Sequence, residues 1–524
     1  MHRLILALLS ALLAALLGHV SARAQGTTQA WPTQGWPVSS PETLGMSSAV
    51  LARLVDFGLF NNMDSVLVTR HGTIVLDATY APFRGGLKHR VNSVTKSVVA
   101  TLLAMAMRDG LLDSTERRVL EFFDDRAIAN LTDTKRAMTI RHLLDMTSGL
   151  DWSEPFGGAP QSLFAMERSA DWQQFVLDRP MAARPSEVFN YSSGNSHLLS
   201  AILSKLTKRN ALDYARETLF RPLGIDDVLW RQDPQGVSIG GYGLYLTPRD
   251  MAKLGYLYLR NGQWDGKQLL PASWIEAVRK SDIDMRLSWA PTLRYGSQFW
   301  VAPNRDAYMA VGFHGQLIVV MPKLDLVAVA TGAARFPAQG GPPTVPRFGS
   351  ESLLGYLANA VKSDMVLPAD PVATAELADR LKAAATETAA PVGASSELAK
   401  RISGKTYRFA GNPLNLQSVT FQLDDPQPSY QFELRSSRPG TPQGTFGGPI
   451  GFDGHYRVGG RMPYGPSAAR AAWRADGKTL VLETQTLGND DAARVTHVFD
   501  GDAVEISLEA ALGFNQKLQG QADK

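Results

Sequence analysis

Within Val91 to Ala106, VNSVTKSVVATLLAMA, a serine and a lysine stand three residues apart at the head of an apolar run. If the run is a helix, Ser93 and Lys96 share a face, with Cβ atoms about 5 to 6 Å apart. A serine hydroxyl becomes a useful nucleophile only when a neighbouring base takes its proton. A lysine can be that base if burial lowers its pKa from about 10.4 toward 7 or 8, which costs the fold about 4 kcal/mol. Val91, Val94, Val98 and Val99 offer the apolar wall. The helix N-terminus would add a backbone N–H and a partial positive charge beside any oxyanion formed at Ser93. The alternative is structural: Ser93 as an N-cap and Lys96 as a solvated first-turn residue. Four residues alone do not choose between these readings.

Two other segments carry polar groups where chemistry would need them. Glu187 to Ser204, EVFNYSSGNSHLLSAILS, places Tyr191 in a polar loop just before a helix, where its phenol is positioned rather than packed. Ala310 to Leu317, AVGFHGQL, is a glycine-bounded entry into a strong hairpin, and such glycines let a substrate backbone lie close. Other patterns compete less well. Gly236-Val237-Ser238-Ile239-Gly240 is a literal G-x-S-x-G, but the nucleophile elbow needs a strand before it and a helix after it, and neither flank qualifies. In that reading His314 would be a triad histidine oriented by an aspartate such as Asp325; otherwise it lines the cleft or is a polar strand residue. His142 and His197 fall inside helical patterns and read as structural. The nine histidines include no H-E-x-x-H or other metal-site spacing, so no metal or cofactor is expected. Asp151 and Trp152 follow the Gly149 stop; Trp152 is either a substrate contact or a packed anchor. Tyr242 and Tyr245, in a glycine-rich loop, carry the same two readings. Ser403 to Tyr407, SGKTY, lacks a glycine after its Lys-Thr and reads as a first strand.

The surrounding elements follow from periodicity. Ser65 to Tyr80 alternates apolar and polar residues around His71-Gly72, a β-hairpin signal. A 3.6-residue period then predicts a helix from about Val94 to Arg108, stopped at Gly110. Thr139 to Leu150 reads as a short capped helix closed by Gly149. More helices are predicted at Ser196 to Leu206, Ala211 to Leu219, Pro248 to Asn261 and Pro271 to Lys280. Strands return at Tyr295 to Val301, Gln316 to Met321 and Leu326 to Thr331. Strands at both ends with helices between them predict an α+β fold whose terminal strands meet in one antiparallel sheet. Leu367 to Leu398, rich in Ala, Pro, Thr and Glu, reads as a linker with at most one helix. Beyond it, VTFQLD, SYQFELRS, GHYRV, TLVLETQTL, RVTHVFDG and VEISLEA are short alternating strands. They predict a smaller all-β sandwich or barrel over 399–512, with 513–524 as a tail.

Met1 to Ala24 has an apolar run from Leu4 to Leu17 and Ala22-Arg23-Ala24 before Gln25, the pattern of a cleaved signal peptide. The run is short for a membrane span of about 20 residues, although a retained anchor is the alternative. The mature chain then starts at Gln25, its first domain covers 25–366, and no transmembrane span is expected in it. The 53 Lys+Arg and 50 Asp+Glu are nearly balanced, which argues for no nucleic-acid partner and no anionic membrane surface. With no cysteine in the sequence, thiol nucleophiles and disulfides are excluded. The expected location is a periplasm or the outside of a bacterial cell.

The ordered series of these segments resembles the serine β-lactamase and penicillin-binding-protein superfamily, in particular its class C β-lactamase, D-alanyl-D-alanine carboxypeptidase and esterase group, which includes the 6-aminohexanoate-dimer hydrolases. The resemblance spans roughly Pro41 to Tyr356. Besides Ser93-Val94-Thr95-Lys96 it rests on TIRHLLDMTSGLDWSE, FNYSSGNS, GGYGLYLTPRDMAKLGYLYLRNGQWDGKQLLPASW and GFHGQLIVVMPKLDLVAV. It implies a β-lactamase-like antiparallel sheet flanked by helices. It also implies Ser93 as the acylated nucleophile, Lys96 as its proton partner, and Tyr191 as the tyrosine of a Y-x-N element. The N–H groups of Ser93 and Gln316 would be the oxyanion donors. Two positions depart from the pattern. Ser193 stands where the asparagine of Y-x-N belongs, and Phe313-His314-Gly315 stands where K-T-G belongs. Without that lysine, the cationic partner of a β-lactam or peptide carboxylate is missing. The expectation is therefore a metal-free, exported serine hydrolase acting on a small-molecule ester or linear amide, with Ser193, Phe313, His314, Gly315 and Trp152 as substrate contacts. β-Lactamase or D-alanyl-D-alanine carboxypeptidase activity is the first alternative. A non-catalytic sensor or scaffold with a partner-binding β-domain is the second.

Overall fold

The computed structural model describes residues 31–154, 161–288, 290–337, 341–346, 349–387, 397–436, 442–511 and 513–523. The expected signal peptide at 1–24 lies outside these residues. Among them, no helix is long and apolar enough to cross a membrane.

The alternation around His71-Gly72 builds a hairpin of Met63–Arg70 and Thr73–Thr79. His71 and Gly72, at φ 50° and 73°, supply the left-handed turn that matches the twist of paired strands. Met63–Arg70 pairs on its other edge with Leu326–Gly332, Val66 opposite Ala330, so the first and last strands of this region meet. They sit within an eight-stranded antiparallel sheet. Successive strand residues serve opposite faces. Leu67, Ile318 and Val320 join a core with the helices Val94–Arg108, Ser193–Thr207 and Pro248–Leu259. Val66, Val68, Leu317 and Val319 join a second core with Ser48–Phe60, Ser350–Ala360 and Pro371–Ala384.

The Val94–Arg108 helix is buried without interruption from Val94 to Ala106. It is enclosed on all sides, so Thr95, Lys96, Ser97 and Thr101 must each find polar partners inside the protein.

Several boundaries differ from those predicted. The strand expected at Tyr295 to Val301 is two, Arg294–Gly296 and Phe299–Ala302, because Ser297 and Gln298 turn the chain at φ 51° and 64°. The helix expected from Ser196 begins at Ser193, capped by the Ser192 side chain. The Ala211–Ala215 helix continues into a wider turn at Arg216–Phe220. Part of the expected linker is not loose: Pro371–Ala384 is a helix whose Leu377 and Ala384 are buried in the second core.

The C-terminal strands form a closed ten-stranded barrel. Three were not predicted: Gly444–Pro449, Gly465–Trp473 and Asn515–Ala522. The last corrects the expected tail, since it pairs with both Ala503–Ala510 and Thr406–Phe409 and thereby closes the ring. Of sandwich and barrel, the barrel is what forms.

Gly255 marks how closely the Pro248–Leu259 helix approaches the sheet. A Cβ there would fall 2.6 Å from Val327 Cγ1 and 2.8 Å from Ile318 Cγ2. Gly255→Ala gains about 1 kcal/mol of helix propensity, but overpacking of about 1–3 kcal/mol should outweigh it. Urea denaturation should show a lower midpoint; a higher one would mean the helix–sheet seam yields freely.

Candidate functional site

Ser93 ends a tight turn in which Asn92 adopts φ 47°. Its backbone is already helical, and its hydroxyl makes no capping bond, so the side chain is not spent on the helix end. Lys96 is 1% exposed. Its Nζ donates to Ser93 Oγ at 3.0 Å, to Ser193 Oγ at 3.1 Å and to the Gly241 carbonyl at 2.8 Å. Burial pulls its pKa down to about 8, and the nearby Glu154 carboxylate opposes that shift.

Tyr191 closes this cluster from the loop before the Ser193–Thr207 helix. Burial pushes the pKa of its phenol far above the ordinary tyrosine value, against the opposing influence of the Ser93 side chain beside it. Its ring centroid lies 4.8 Å from Lys96 Nζ. Tyr295 and Trp300 pack against the ring at 6.1 and 6.3 Å, fixing its orientation. Gly241 must be a glycine for the carbonyl contact: a Cβ would fall 2.8 Å from Ser193 Cβ.

Two expected substrate contacts are placed elsewhere. Ser193 is buried at 3% exposure and touches Lys96, so it stands behind the Ser93 hydroxyl instead of facing a substrate. Trp152 is buried with its ring against Gly194, where a Cβ would fall 2.7 Å from Cζ3, and its indole N–H donates to Glu154 Oε1 at 2.9 Å. It is the packed anchor of the two readings. Glu154 was not singled out from the sequence. Its Oε1 also accepts the Ser193 backbone N–H, so one carboxylate ties Trp152 to the turn carrying Tyr191 and Ser193. The available signal was its place in DWSE directly after the Gly149 stop, but loop carboxylates are too common for that to suffice.

Across the cluster, Ala307–Gly312 and Gln316–Met321 form a hairpin with Gly312 opposite Gln316. A Cβ built on Gly312 would lie 3.2 Å from Ser93 N and 2.9 Å from Gln316 Cβ, so these residues converge on one point beside the helix start. The connecting loop bends left-handed at His314 and Gly315, φ 58° and 79°. Gln316 Nε2 braces it through the His314 and Gly332 carbonyls at 3.1 and 2.8 Å. Phe313 is 44% exposed, the most open of the expected substrate contacts. His314 stacks on it with centroids 3.9 Å apart.

His314 also has a carboxylate partner, and it comes from the barrel. Asp490, in the turn between Thr479–Thr486 and Ala492–Asp500, lies 3.4 Å from His314 Nδ1 and accepts from Asn92 Nδ2 at 2.9 Å. The Arg90 guanidinium beside Asp490, together with these two bonds, holds its buried carboxyl far below the usual range. This corrects the Asp325 orienter: Asp325 lies at the far end of the strand, paired with His71 and Arg260. The alternative nucleophile also fails on geometry. Ser238 is fully buried and its Oγ accepts from the Leu212 N–H.

The remaining polar candidates hold the fold together. His142 completes a capping box with Thr139, and His197 pairs with Asp233 at 3.0 Å. Tyr242 and Tyr245 are buried, bonded to Glu167 and Asn489. Among the described residues, no group of three or more His, Asp or Glu side chains is gathered as a metal would require.

A family model described as β-lactamase matches residues 61–342, over half of the chain. The chain belongs to the β-lactamase family. With that membership it is a serine hydrolase. A 6-aminohexanoate-dimer hydrolase of Paenarthrobacter ureafaciens is 25% identical over 285 residues, covering 51% of this chain and 71% of its own. Penicillin-binding protein 4 of Amycolatopsis lactamdurans is 25% identical over 299 residues, covering 51% and 74%. The solved structure of an octameric penicillin-binding protein homologue from Pyrococcus abyssi aligns over 90% of this chain and 99% of its own, with 14% identity and a TM-score of 0.44.

Because Glu154 raises the Lys96 pKa, Glu154→Gln, which keeps an acceptor for Ser193 and Trp152, should move it below about 8. A carbon-13 NMR titration of lysine Cε resonances would read the shift. An unmoved Lys96 midpoint would remove Glu154 from the site's electrostatics.

Proposed function

We propose that this chain is an exported serine hydrolase that cleaves a small ester or linear amide through an acyl-enzyme on Ser93. The carrying observation is a fully buried amine 3.0 Å from a serine hydroxyl that caps nothing. With its pKa drawn down to about 8, Lys96 is in part unprotonated near neutrality and can accept the Ser93 proton. Ser93 Oγ then attacks the carbonyl carbon. Burial keeps the Tyr191 phenol neutral, so it serves as a relay: it hands its proton to the leaving alcohol or amine while taking the Ser93 proton back from Lys96, and in deacylation Lys96 takes a proton from the attacking water through Tyr191 and returns it to Ser93 Oγ as the acid leaves. The N–H groups of Ser93 and Gln316 would receive the oxyanion, which is supported by their convergence beside Gly312.

The exposed partner at the hairpin is Phe313, where a carboxylate-binding lysine would otherwise stand, and His314 faces the Asp490 carboxylate. That lining suits a neutral or apolar acyl compound better than a β-lactam or peptide carboxylate. The relative named for hydrolysis of the 6-aminohexanoate dimer supports a linear amide as the class of bond. Export rests on the signal-peptide pattern of Met1 to Ala24.

Ser93→Ala should leave no measurable hydrolysis of p-nitrophenyl butyrate, and unchanged turnover would sink the acyl-enzyme. Lys96→Ala and Tyr191→Phe should each cost about 10²- to 10⁴-fold in kcat. A lysine base works only unprotonated, so kcat/KM should climb as pH rises and level off above about 8. A profile that is flat or falling between about pH 6 and 9 would exclude Lys96 as the base.

A further inference from the structure

The barrel is not filled along its length. At one end Tyr407, Phe421, Leu480, Phe499 and Val504 pack into its own core. Toward the other end lies a cavity of about 450 Å³, lined by Leu416, Val419, Phe432, Leu482, Val495 and Leu508 among others. Barrel diameter grows with strand number, and about eight strands already leave room for one small ligand. Ten strands, with small residues such as Ala493 and Thr484 facing inward, leave a volume in the range of small-molecule sites.

One polar group on this wall has no partner. His497 is 2% exposed, held edge-on to Phe421 at 5.0 Å and parallel to Phe499 at 6.3 Å. Its Nδ1 makes no hydrogen bond, while backbone carbonyls near Leu480 and Val495 interact with the ring. Burial pulls the imidazole pKa down to about 4, so the ring is neutral at pH 7, with one nitrogen protonated and the other a bare acceptor. Arg90, Tyr464, Asn489 and Asp490 form a polar border at the end nearer the sheet.

We propose that the barrel interior binds one small amphiphile, an apolar body carrying a single hydrogen-bond donor that pairs with His497 Nδ1. The apolar wall takes the body, and the donor satisfies a buried ring nitrogen that makes no hydrogen bond within the barrel. Two sources share this chemistry: the apolar tail of a substrate acylating Ser93, whose turn is tied to Asp490, or a separate free amphiphile. Binding itself does not depend on Ser93 chemistry, so the full-length Ser93→Ala protein can be used.

N-phenyl-1-naphthylamine, an aromatic body with one N–H, should bind saturably at one equivalent with enhanced fluorescence, and 1-decanol should displace it. Filling the cavity by Ala493→Trp should weaken binding at least tenfold. His497→Phe, which keeps the ring and removes the acceptor, should weaken it by up to about tenfold. A diazirine-bearing decanol, photo-crosslinked to the unmutated chain and mapped by peptide mass spectrometry, should mark the strands 416–434 and 482–508. Lack of saturable binding, or adducts confined to residues outside the barrel, would overturn the proposal whether or not the variants fold. The source is read with the active protein, a step that rests on the Ser93 reading. If 1-decanol inhibits hydrolysis of p-nitrophenyl decanoate but not acetate, the cavity holds the substrate's tail. If it inhibits neither, the amphiphile is separate.

Discussion

Keeping a lysine amine out of water beside a serine hydroxyl is the constraint around which the N-terminal half is arranged. Lowering the Lys96 pKa from 10.5 to about 8 corresponds to about 3 kcal/mol of disfavoured charge. The surrounding fold has to be rigid and dry enough to sustain that cost. Burial of the Val94–Arg108 helix on all sides supplies the dryness. Rigidity comes from the partners around Nζ: Ser93, Ser193 and the Gly241 carbonyl occupy its three donor directions. Each partner sits on a different segment, so the turn before the first buried helix, the second buried helix and the glycine loop all have to be in place together.

Much of this was legible because it leaves periodic or chemical marks. The hairpin around His71-Gly72 and the helix from Val94 to Arg108 were read close to their true bounds, since period-two and period-3.6 patterns were uninterrupted there. The antiparallel sheet with meeting terminal strands followed from element order. What escaped notice escaped for physical reasons. Gly444–Pro449 and Gly465–Trp473 are built largely from glycine, alanine and proline, residues that carry little strand preference yet suit the curved wall of a barrel. Asn515–Ala522 is polar on most positions and is a strand only because two neighbours need an edge.

At the site, residues whose work is done with their own side chains toward Ser93 could be proposed from sequence. Those acting through a third group were not legible. Glu154 acts on Lys96 through space and on Ser193 through a backbone bond. Asp490 lies nearly 400 positions from the turn it braces, 398 from Asn92. Ser193 and Trp152 show the converse: both sit near the expected cleft in sequence, yet both are turned into the interior by the Lys96 and Glu154 bonds they make.

The Asn92–Asp490 bond links the order of synthesis to the state of the site. The segment bearing Ser93 and Lys96 leaves the ribosome long before the turn bearing Asp490. Until the barrel has closed, Asn92 and His314 lack the carboxylate that fixes them, and the turn presenting Ser93 is braced from one side only. A truncated chain therefore carries Ser93 and Lys96 without the bond that fixes the turn before them. Closure of the barrel thus becomes a late step in completing the cluster around Ser93, set by how far along the chain Asp490 lies.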